Sequence, residues 1–232
     1  MKLALIGYGA MGQLVAQQTR AANDEIGATL TSKEAQLAVE EIAALLRGHD
    51  VVIDFSTGAA VMKNVEACAR AGVPLVEGTT GWKDKEDEVK GAIQQNDGAL
   101  VYGANFSIGV NVFYRIVERA SELFAPLGQY QAFIEEQHHA RKLDAPSGTA
   151  LKIKTLMDQH GKPPVSVAST RAGSIPGTHR VGFDSAADQI TLTHMARSRE
   201  GFAAGALLAA RWIKGRKGVF EFGEVIDEIL KQ

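Results

Sequence analysis

The stretch KLALIGYGAMG, residues 2–12, decides the fold of this chain. Residues 2–6 form a short apolar run, which is typical of a β-strand buried on both faces. The run stops at Gly7, and a helix-like pattern begins at Ala10. The stretch therefore predicts a strand, a glycine turn and a helix in that order.

The glycine turn matches G-x-G-x-x-G with a strand before it and a helix after it. Gly7 permits the tight turn, Gly9 lets the backbone approach a pyrophosphate, and Gly12 lets the helix pack on the strand. The first N–H groups of the helix, at Ala10 and Met11, would face the phosphates. These five residues predict a dinucleotide site, with a purely structural glycine turn as the alternative.

Apolar runs and helix-like stretches continue to alternate as far as residue 105. The strand candidates are residues 25–30, 51–55, 73–78 and 99–105, and the helix candidates are residues 38–48, 61–72 and 82–96. This alternation predicts an α/β fold with a Rossmann-type doubly wound parallel sheet and right-handed crossovers.

The pattern changes after Asn105, where a long amphipathic helix leads into strands separated by glycine loops. The candidates are a helix at 110–124, strands at 129–136, 165–171, 179–183 and 189–196, and a second apolar helix at 202–213. We predict a dinucleotide-binding domain of residues 1–105 and 200–232, which ends in helices. Residues 106–199 would form an inserted mixed-sheet α+β domain for substrate binding and oligomerisation.

The end of the second predicted strand bears on the choice of cofactor. An NAD site usually has an acidic residue there for the ribose hydroxyls, but this chain reads Leu30-Thr31-Ser32-Lys33. Lys33 and the two hydroxyls suit the extra phosphate of NADP, whereas the nearby acidic residue Glu34 leaves NADH as an alternative cofactor. A plain solvated turn is the other interpretation, so we expect NADPH, NADH or both.

Composition narrows the class of partner. The formal net charge is −2, with 25 Lys and Arg against 27 Asp and Glu, which argues against a nucleic-acid binder. The apolar start of the chain is too short for a membrane span. Cys68 is the only cysteine, so no intramolecular disulfide can form and we expect a cytoplasmic protein.

A second motif, QHHARKLDAPSGTA at residues 137–150, concentrates positive charge at one turn. Ser147 is placed to cap a helix, and the N–H groups of Gly148 and Thr149 lack acceptors within that helix. Together with Lys142 and the imidazoles of the motif, these groups predict a seat for a small dicarboxylate.

The two histidines of this motif also admit other interpretations. They could bind a metal, but adjacent residues of a strand point to opposite sides and no further ligand stands at metal spacing, so we expect none. For the same reason His138 and His139 can face one ligand only if the strand breaks there. Arg141 and Asp144 are expected to be local ion-pair or capping partners.

With these motifs in place, the chain resembles the dihydrodipicolinate reductase family over nearly its whole length. The matching segments are GYGAMG (7–12), DFST (54–57), EGTTG (77–81), ANFSIGVN (104–111), EEQHHARKLDAPSGTA (135–150), RAGSIPGTHRVGF (171–183) and THMARSREGFAAGA (193–206). The segment around H-H-x-x-K-x-D-A-P-S-G-T is the most specific of them.

The resemblance implies NAD(P)H-dependent reduction of a cyclic unsaturated dicarboxylate, 4-hydroxy-tetrahydrodipicolinate or its dehydrated form, in lysine and diaminopimelate biosynthesis. It implies that His138 is the general acid, that Lys142 binds substrate and assists protonation, and that the protein is a homotetramer. His139, Ser147, Gly148 and Thr149 would hold a carboxylate, and Gly78, Thr79, Thr80, Ala104, Asn105 and Phe106 would line the nicotinamide.

Two other functions share part of this pattern. An aspartate or homoserine dehydrogenase would have the glycine turn without the second motif. A non-enzymatic sensor of the cofactor's redox state would need no anion seat. The second motif therefore favours the reductase.

Overall fold

Four of the five residues of β1 (Lys2–Ile6) are buried, because β1 pairs along both edges with parallel strands. Those neighbours are β2 (Glu25–Leu30) and β3 (Val51–Asp54). A strand enclosed in this way needs apolar side chains on both faces, as its sequence has. The computed structural model describes residues 1–161 and 163–231, so Lys162 and Gln232 lie outside it.

The chain divides into two compact units. Unit 1 comprises residues 1–108 and 200–232, and unit 2 comprises residues 109–199. Besides β1 to β3, the strands of unit 1 are β4 (Leu75–Glu77), β5 (Ala99–Tyr102) and β10 (Gly218–Glu221). Its helices are α1 (Ala10–Ala21), α2 (Val39–Leu46), α3 (Val61–Ala71), α4 (Glu86–Gln95), α7 (Glu200–Ile213) and α8 (Phe222–Leu230).

All neighbouring strands of unit 1 run parallel, in the order β10-β5-β4-β3-β1-β2. The strand order reverses at β1, where β2 and β3 lie on opposite sides. This is the doubly wound arrangement, so the predicted Rossmann-type fold is confirmed. In such a sheet the carboxyl ends of the strands share one edge, and the loops that follow them come together there.

The sequence prediction was wrong about the end of the chain. Residues 218–221 form a sixth strand, which pairs with β5, and only α8 follows it. The strand has four residues, and none of them is fully buried. So short a segment carries no clear periodicity, and it becomes a strand through its pairing with β5.

Unit 2 contains α5 (Ile108–Phe124, whose first residue belongs to unit 1), β6 (Gln131–His138), α6 (Gly148–Asp158), β7 (Ser166–Arg171), β8 (Thr178–Asp184) and β9 (Gln189–Met195). The sheet order is β7-β6-β8-β9, with a parallel β6–β7 pair and antiparallel β6–β8 and β8–β9 pairs. The predicted mixed sheet is confirmed.

One face of the second sheet packs against α5 and α6. The buried cluster between them contains Phe113, Val117, Ile134, Ile153, Met157, Val165, Val181 and Phe183. Phe124 stacks on Phe183 with ring centroids 4.3 Å apart. This core supports β6 and the start of α6, the two elements that carry the second motif.

None of the helices in the described ranges is long and apolar enough to cross a membrane.

Helix α7 fits against the loop after β5 only because residue 205 is glycine. A Cβ atom on Gly205 would lie 1.7 Å from the carbonyl oxygen of Phe106. No rotamer change relieves a clash with backbone, so the helix or the loop would have to move. Gly201, in the first turn of the same helix, has its nearest neighbour, Ser107 Oγ, at 3.9 Å.

We predict that Gly205→Ala lowers the free energy of unfolding by about 1–3 kcal/mol, the usual cost of overpacking. Gly201→Ala should leave stability unchanged or raise it by up to about 1 kcal/mol, because alanine favours a helix over glycine. Thermal unfolding followed by circular dichroism measures both. Equal midpoints for the two variants would contradict the close approach of α7 to Phe106.

Candidate functional site

A cleft lies at the carboxyl edge of the parallel sheet in unit 1. Its volume is about 320 Å³. It is bounded by the glycine turn after β1, the loop after β3 and the loop after β4. The lining residues are Gly9, Ala10, Met11, Phe55, Ser56, Thr57, Gly58, Gly78, Thr79 and Thr80. Ligands of doubly wound folds bind at this edge, where the strand order reverses.

The three glycines of the turn have different roles. Gly7 has a φ of +84°, and a Cβ there would lie 2.4 Å from the carbonyl oxygen of Phe55. A Cβ on Gly12 would lie 2.1 Å from the carbonyl oxygen of Gly7. Both glycines are therefore needed for packing, whereas a Cβ on Gly9 meets nothing within 4 Å. The open space at Gly9 is what a cofactor pyrophosphate requires.

The start of α1 is electrostatically prepared for an anion. Gly9 is its N-cap and supplies no side-chain acceptor, and the first turn holds no acidic residue. Backbone N–H groups and the positive end of the helix dipole thus act together without a neutralising carboxylate. The geometry fits the phosphates of a dinucleotide.

Two buried carboxyl groups organise the other loops of the cleft. Asp54, at the end of β3, accepts hydrogen bonds from Ser56 N and Asn64 Nδ2, each at 2.7 Å. Glu77, at the end of β4, accepts one from Thr79 N at 2.7 Å. Burial raises the pKa of Glu77 well above its usual value, and the charge of Asp54 raises it further. Burial also raises the pKa of Asp54, so the simultaneous ionisation of these two neighbouring carboxyl groups is disfavoured.

Six residues predicted for the cofactor line this cleft: Gly9, Ala10, Met11, Gly78, Thr79 and Thr80. The remaining predicted residues, Gly7, Gly12, Lys33, Ala104, Asn105 and Phe106, lie outside the lining. The ring of Phe106 is buried and packs on Phe55 and Phe222, with centroids 6.3 and 4.6 Å away. Its side chain therefore belongs to the core.

The turn after β2 holds the predicted phosphate lysine. Gly7 N donates to Leu30 O at 2.9 Å, which places residue 31 directly beside the glycine turn. The Glu34 carboxylate accepts from Thr31 N and Thr31 Oγ1 at 2.7 and 2.8 Å. Lys33 is exposed on the same turn. Glu34 is thus engaged within the turn, while the Lys33 ammonium is in contact with solvent.

In unit 2, strand alternation brings three polar side chains to the buried face. Glu136 and His138 follow Ile134 on the inner face of β6, and His179 of β8 lies opposite Glu136 in the pairing register. All three are less than 9% exposed. The rings of His138 and His179 meet edge to face with centroids 5.2 Å apart.

Arg171 neutralises the buried carboxylate of this group. It lies opposite His138 on β7, and its Nη2 donates to Glu136 Oε1 at 2.7 Å. The second carboxylate oxygen, Oε2, forms a close ion-pair contact with His138 Nδ1. Burial is the largest single influence and raises the pKa of Glu136. The hydrogen bonds from Arg171 and Ser169, together with the nearby positive charge, outweigh burial and hold the pKa below its usual value.

Both imidazoles are harder to protonate than a solvent-exposed histidine. Burial lowers the pKa of His179 to about 4 and also lowers the pKa of His138. Lys142 and Arg171 lower the pKa of His138 further, whereas Glu136 raises it. Burial is therefore the main reason that the imidazolium form of His138 is disfavoured.

The turn after β6 carries Lys142, the cationic residue that we predicted for the carboxylate site. The strand ends at His138, and Lys142 N donates back to His139 O at 3.0 Å. His139 is half-buried within this turn, beyond the alternation of the strand. Lys142 Nζ lies 2.7 Å from Asp144 Oδ1, so Asp144 is the local ion-pair partner that the sequence predicted.

Ser147 caps α6 as the sequence predicted, since its Oγ accepts from Ala150 N at 3.2 Å. The same Oγ lies 3.2 Å from His179 Nε2. Lys142 lowers the pKa of Asp144, and the backbone of Gly148 adds to this effect. The Asp144 carboxylate therefore lies beside two of the groups, Lys142 and the backbone of Gly148, that we predicted to bind an anion.

Glu136, His138 and His179 could together offer ligands to a metal, because one ligand atom of each lies within 4.8 Å of the others. From the sequence we considered the adjacent pair His138 and His139 as metal ligands. In the structure His138 instead lies beside His179. Arg171 is bonded to the same carboxylate. Its charge and that of Lys142 oppose a cation at this cluster.

Sequence reasoning missed several residues of both sites. In unit 1 it missed Phe55, Ser56, Thr57 and Gly58, although the DFST motif ends a parallel strand at the binding edge. In unit 2 it missed Glu136, Arg171 and His179. Alternation backward from His138 would have placed Glu136 on the buried face. The other two belong to the segment RAGSIPGTHRVGF, whose pairing with β6 is a long-range contact.

Both halves of the chain match a known family. Residues 1–106 match the N-terminal part described as "Dihydrodipicolinate reductase, N-terminus", and residues 109–226 match "Dihydrodipicolinate reductase, C-terminus". A 4-hydroxy-tetrahydrodipicolinate reductase of Christiangramia forsetii is 34% identical, and the match covers 100% of both chains. One of Archaeoglobus fulgidus is 40% identical over 71% of this chain and 70% of its own.

A solved structure supports the fold independently. The dipicolinate-bound dihydrodipicolinate reductase from Paenisporosarcina sp. TG-14 superposes with a TM-score of 0.75. The match covers 95% of this chain and 97% of that one at 20% identity. The arrangement of a parallel sheet followed by an inserted mixed sheet is thus shared with that protein.

We predict that Gly9→Ala weakens NADPH binding about tenfold to a hundredfold, because a methyl group would displace the pyrophosphate by steric contact. The folded structure should be unaffected, since the space around Gly9 is open. Gly12→Ala is the matched variant and should lower thermal stability instead. Fluorescence titration with NADPH and thermal unfolding separate the two effects. An unchanged dissociation constant for Gly9→Ala would contradict the site.

Proposed function

Because the chain belongs to the dihydrodipicolinate reductase family, we propose that it reduces 4-hydroxy-tetrahydrodipicolinate, or its dehydrated form, to tetrahydrodipicolinate. This step belongs to the biosynthesis of diaminopimelate and lysine. The observation that carries the proposal is the group formed by His138, Lys142 and the start of α6. It combines an acid, a cation and a helix N-terminus within one unit.

Unit 1 holds NADPH or NADH. Gly9, Ala10 and Met11 receive the pyrophosphate, and the loops that contain Gly78, Thr79 and Thr80 line the cleft beside it. When bound, the reduced cofactor supplies a hydride. Lys33 is the group we assign to the 2′-phosphate of NADPH, and its exposure on the turn after β2 supports that role. NADH is accepted without this contact.

Unit 2 holds the dicarboxylate. One substrate carboxylate replaces Asp144 between Lys142 and the start of α6, where Ser147, Gly148 and Thr149 surround it. His139, in the same turn, contributes a further donor. Each charge-assisted hydrogen bond contributes about 1.5–3 kcal/mol. The present contacts of Asp144 support this placement, because they show that the position accepts a carboxylate.

His138 is the general acid. Reduction adds a hydride and a proton to the ring, so the atom that becomes electron-rich after hydride addition must be protonated. Lys142 stabilises the developing negative charge and maintains the substrate beside the imidazole. A positioned imidazole typically contributes about 10²–10⁴ in rate. From 4-hydroxy-tetrahydrodipicolinate, one hydride and one proton enter and one water leaves, whereas from the dehydrated form the hydride and the proton enter and no water leaves.

We further propose that the protein is a cytoplasmic homotetramer. The face of the second sheet opposite α5 and α6 carries the Glu135–Arg180 ion pair on its two central strands. On the outer strands it carries exposed, mostly short and uncharged side chains: Ser166, Ala168, Thr170, Thr191, Thr193 and Met195. A second copy of this sheet can cover such a surface. The dependence on reduced cofactor and the single buried thiol, Cys68, support the cytoplasm.

The activity is tested with freshly made product of dihydrodipicolinate synthase, by following the loss of NADPH absorbance. Lys142→Ala should lower kcat/KM about 10- to 150-fold, the loss of one charge-assisted bond. His138→Gln should lower kcat roughly 10²- to 10⁴-fold. Both should retain NADPH affinity, and exposed Lys152→Ala should keep full turnover. Unchanged turnover in both site variants would refute the assignment.

A second prediction concerns protons. A dianion beside His138 raises the low pKa of its imidazole, so dipicolinate binding should take up a proton near neutral pH. The affinity should then fall as the pH rises. Calorimetry in two buffers with different ionisation enthalpies measures the proton count. His138→Gln should abolish the uptake and His49→Gln, in unit 1, should not. Proton release on binding would contradict the role of His138.

A further inference from the structure

The buried carboxylate of Glu136 has no part in the reaction described so far. It is 1% exposed, and its two oxygens face different partners. Oε1 accepts from Arg171 Nη2 at 2.7 Å, and Oε2 lies in close contact with His138 Nδ1. A buried charge is costly unless it is paired, and one ion pair with Arg171 would satisfy that need. The second contact points to a separate role.

The other nitrogen of the imidazole faces a position without a side chain. A Cβ on Gly177 would lie 3.1 Å from His138 Nε2, and Gly177 has a φ of +150°. A larger residue there would cover this nitrogen. The carboxylate therefore contacts Nδ1, while Nε2 is bordered by a glycine. Carboxylates commonly fix the tautomer and orientation of a functional histidine in this way.

We propose that Glu136, held in place by Arg171, is a positioning residue that fixes the His138 ring with its Nδ1 hydrogen toward the carboxylate and its Nε2 as the atom that delivers the proton. The proposal rests on the proposed function only for the final transfer. The tautomer and the pairing concern the ligand-free protein and are measurable without substrate.

Arg171 also connects this pair to the proposed carboxylate site at Lys142 and the start of α6. The same Nη2 that donates to Glu136 also donates to the backbone oxygen of Asp144. Asp144 in turn pairs with Lys142. The partly buried guanidinium of Arg171 thus contacts both the carboxylate beside His138 and the turn that carries Lys142. The charged and titratable groups that act on His138 are Glu136 from its own strand, Lys142 from the turn, Arg171 from β7, and His179 from β8.

The test is an NMR titration of the imidazole nitrogens in the ligand-free protein, with His138→Gln to assign the signal. We expect His138 to carry its neutral-state hydrogen on Nδ1. Glu136→Gln keeps the shape but removes the charge, so the titration should move to lower pH. Arg171→Gln leaves the carboxylate and removes the opposing charge, so the titration should move to higher pH. A purely structural role predicts no such opposite shifts.

Glu135→Gln is the matched control. Glu135 is adjacent on β6 but points to the other face, where its Oε2 lies 3.1 Å from Arg180 Nη1. Its substitution should leave the His138 titration and kcat unchanged. With substrate, Glu136→Gln should lower kcat roughly 10- to 100-fold with little change in the dissociation constant of NADPH.

An unaltered titration and tautomer in folded Glu136→Gln would overturn the proposal. If Glu136→Gln does not fold, Arg171→Gln provides the test. A His138 titration that stays unchanged or moves to lower pH in Arg171→Gln would then overturn the proposal. Opposite shifts without any turnover would support the positioning role while refuting the proposed reaction. The two conclusions can therefore fail separately.

Discussion

The parallel pairing of β1 with β3, and of β3 with β4, is the constraint on which the first unit depends. Parallel strands end at the same edge, so the loops after these three strands must meet. The Phe55 carbonyl lies so close to residue 7 that only glycine fits there. The buried carboxyl groups of Asp54 and Glu77 accept hydrogen bonds from the loops after β3 and β4. The cleft is therefore a product of the strand order rather than of any one loop.

In the second unit, the main constraint is the effect of burial on the pKa of His138. Burial alone makes the imidazole of His138 hard to protonate, and the neighbouring cations add to that effect. The carboxylate of Glu136 opposes both. Burial has the larger effect, so the pKa of His138 remains below its usual value. In the turn after β6, Asp144 forms an ion pair with Lys142.

The sequence predicted much of this arrangement, and the reasons for its success and failure are physical. The first sheet was predictable because buried parallel strands are apolar throughout and the glycine turn has a fixed spacing. The cap at Ser147 and the pair of Lys142 with Asp144 are local, so the motif itself reveals them. β10 was missed because four half-exposed residues have no periodicity of their own. Arg171 and His179 were missed because they reach the site by long-range strand pairing. Arg171 lies opposite His138, 33 positions away, and His179 lies opposite Glu136, 43 positions away.

The place of β10 in the sheet has a consequence for biosynthesis. Unit 2 is one continuous segment, whereas unit 1 needs α7 and β10, which are translated after it. As the chain leaves the ribosome, the whole of unit 2 can be present while unit 1 still lacks a strand at its sheet edge and two helices. The usual order, in which the amino-terminal domain folds first during synthesis, is not open to unit 1 as a whole, because residues that follow unit 2 complete its sheet.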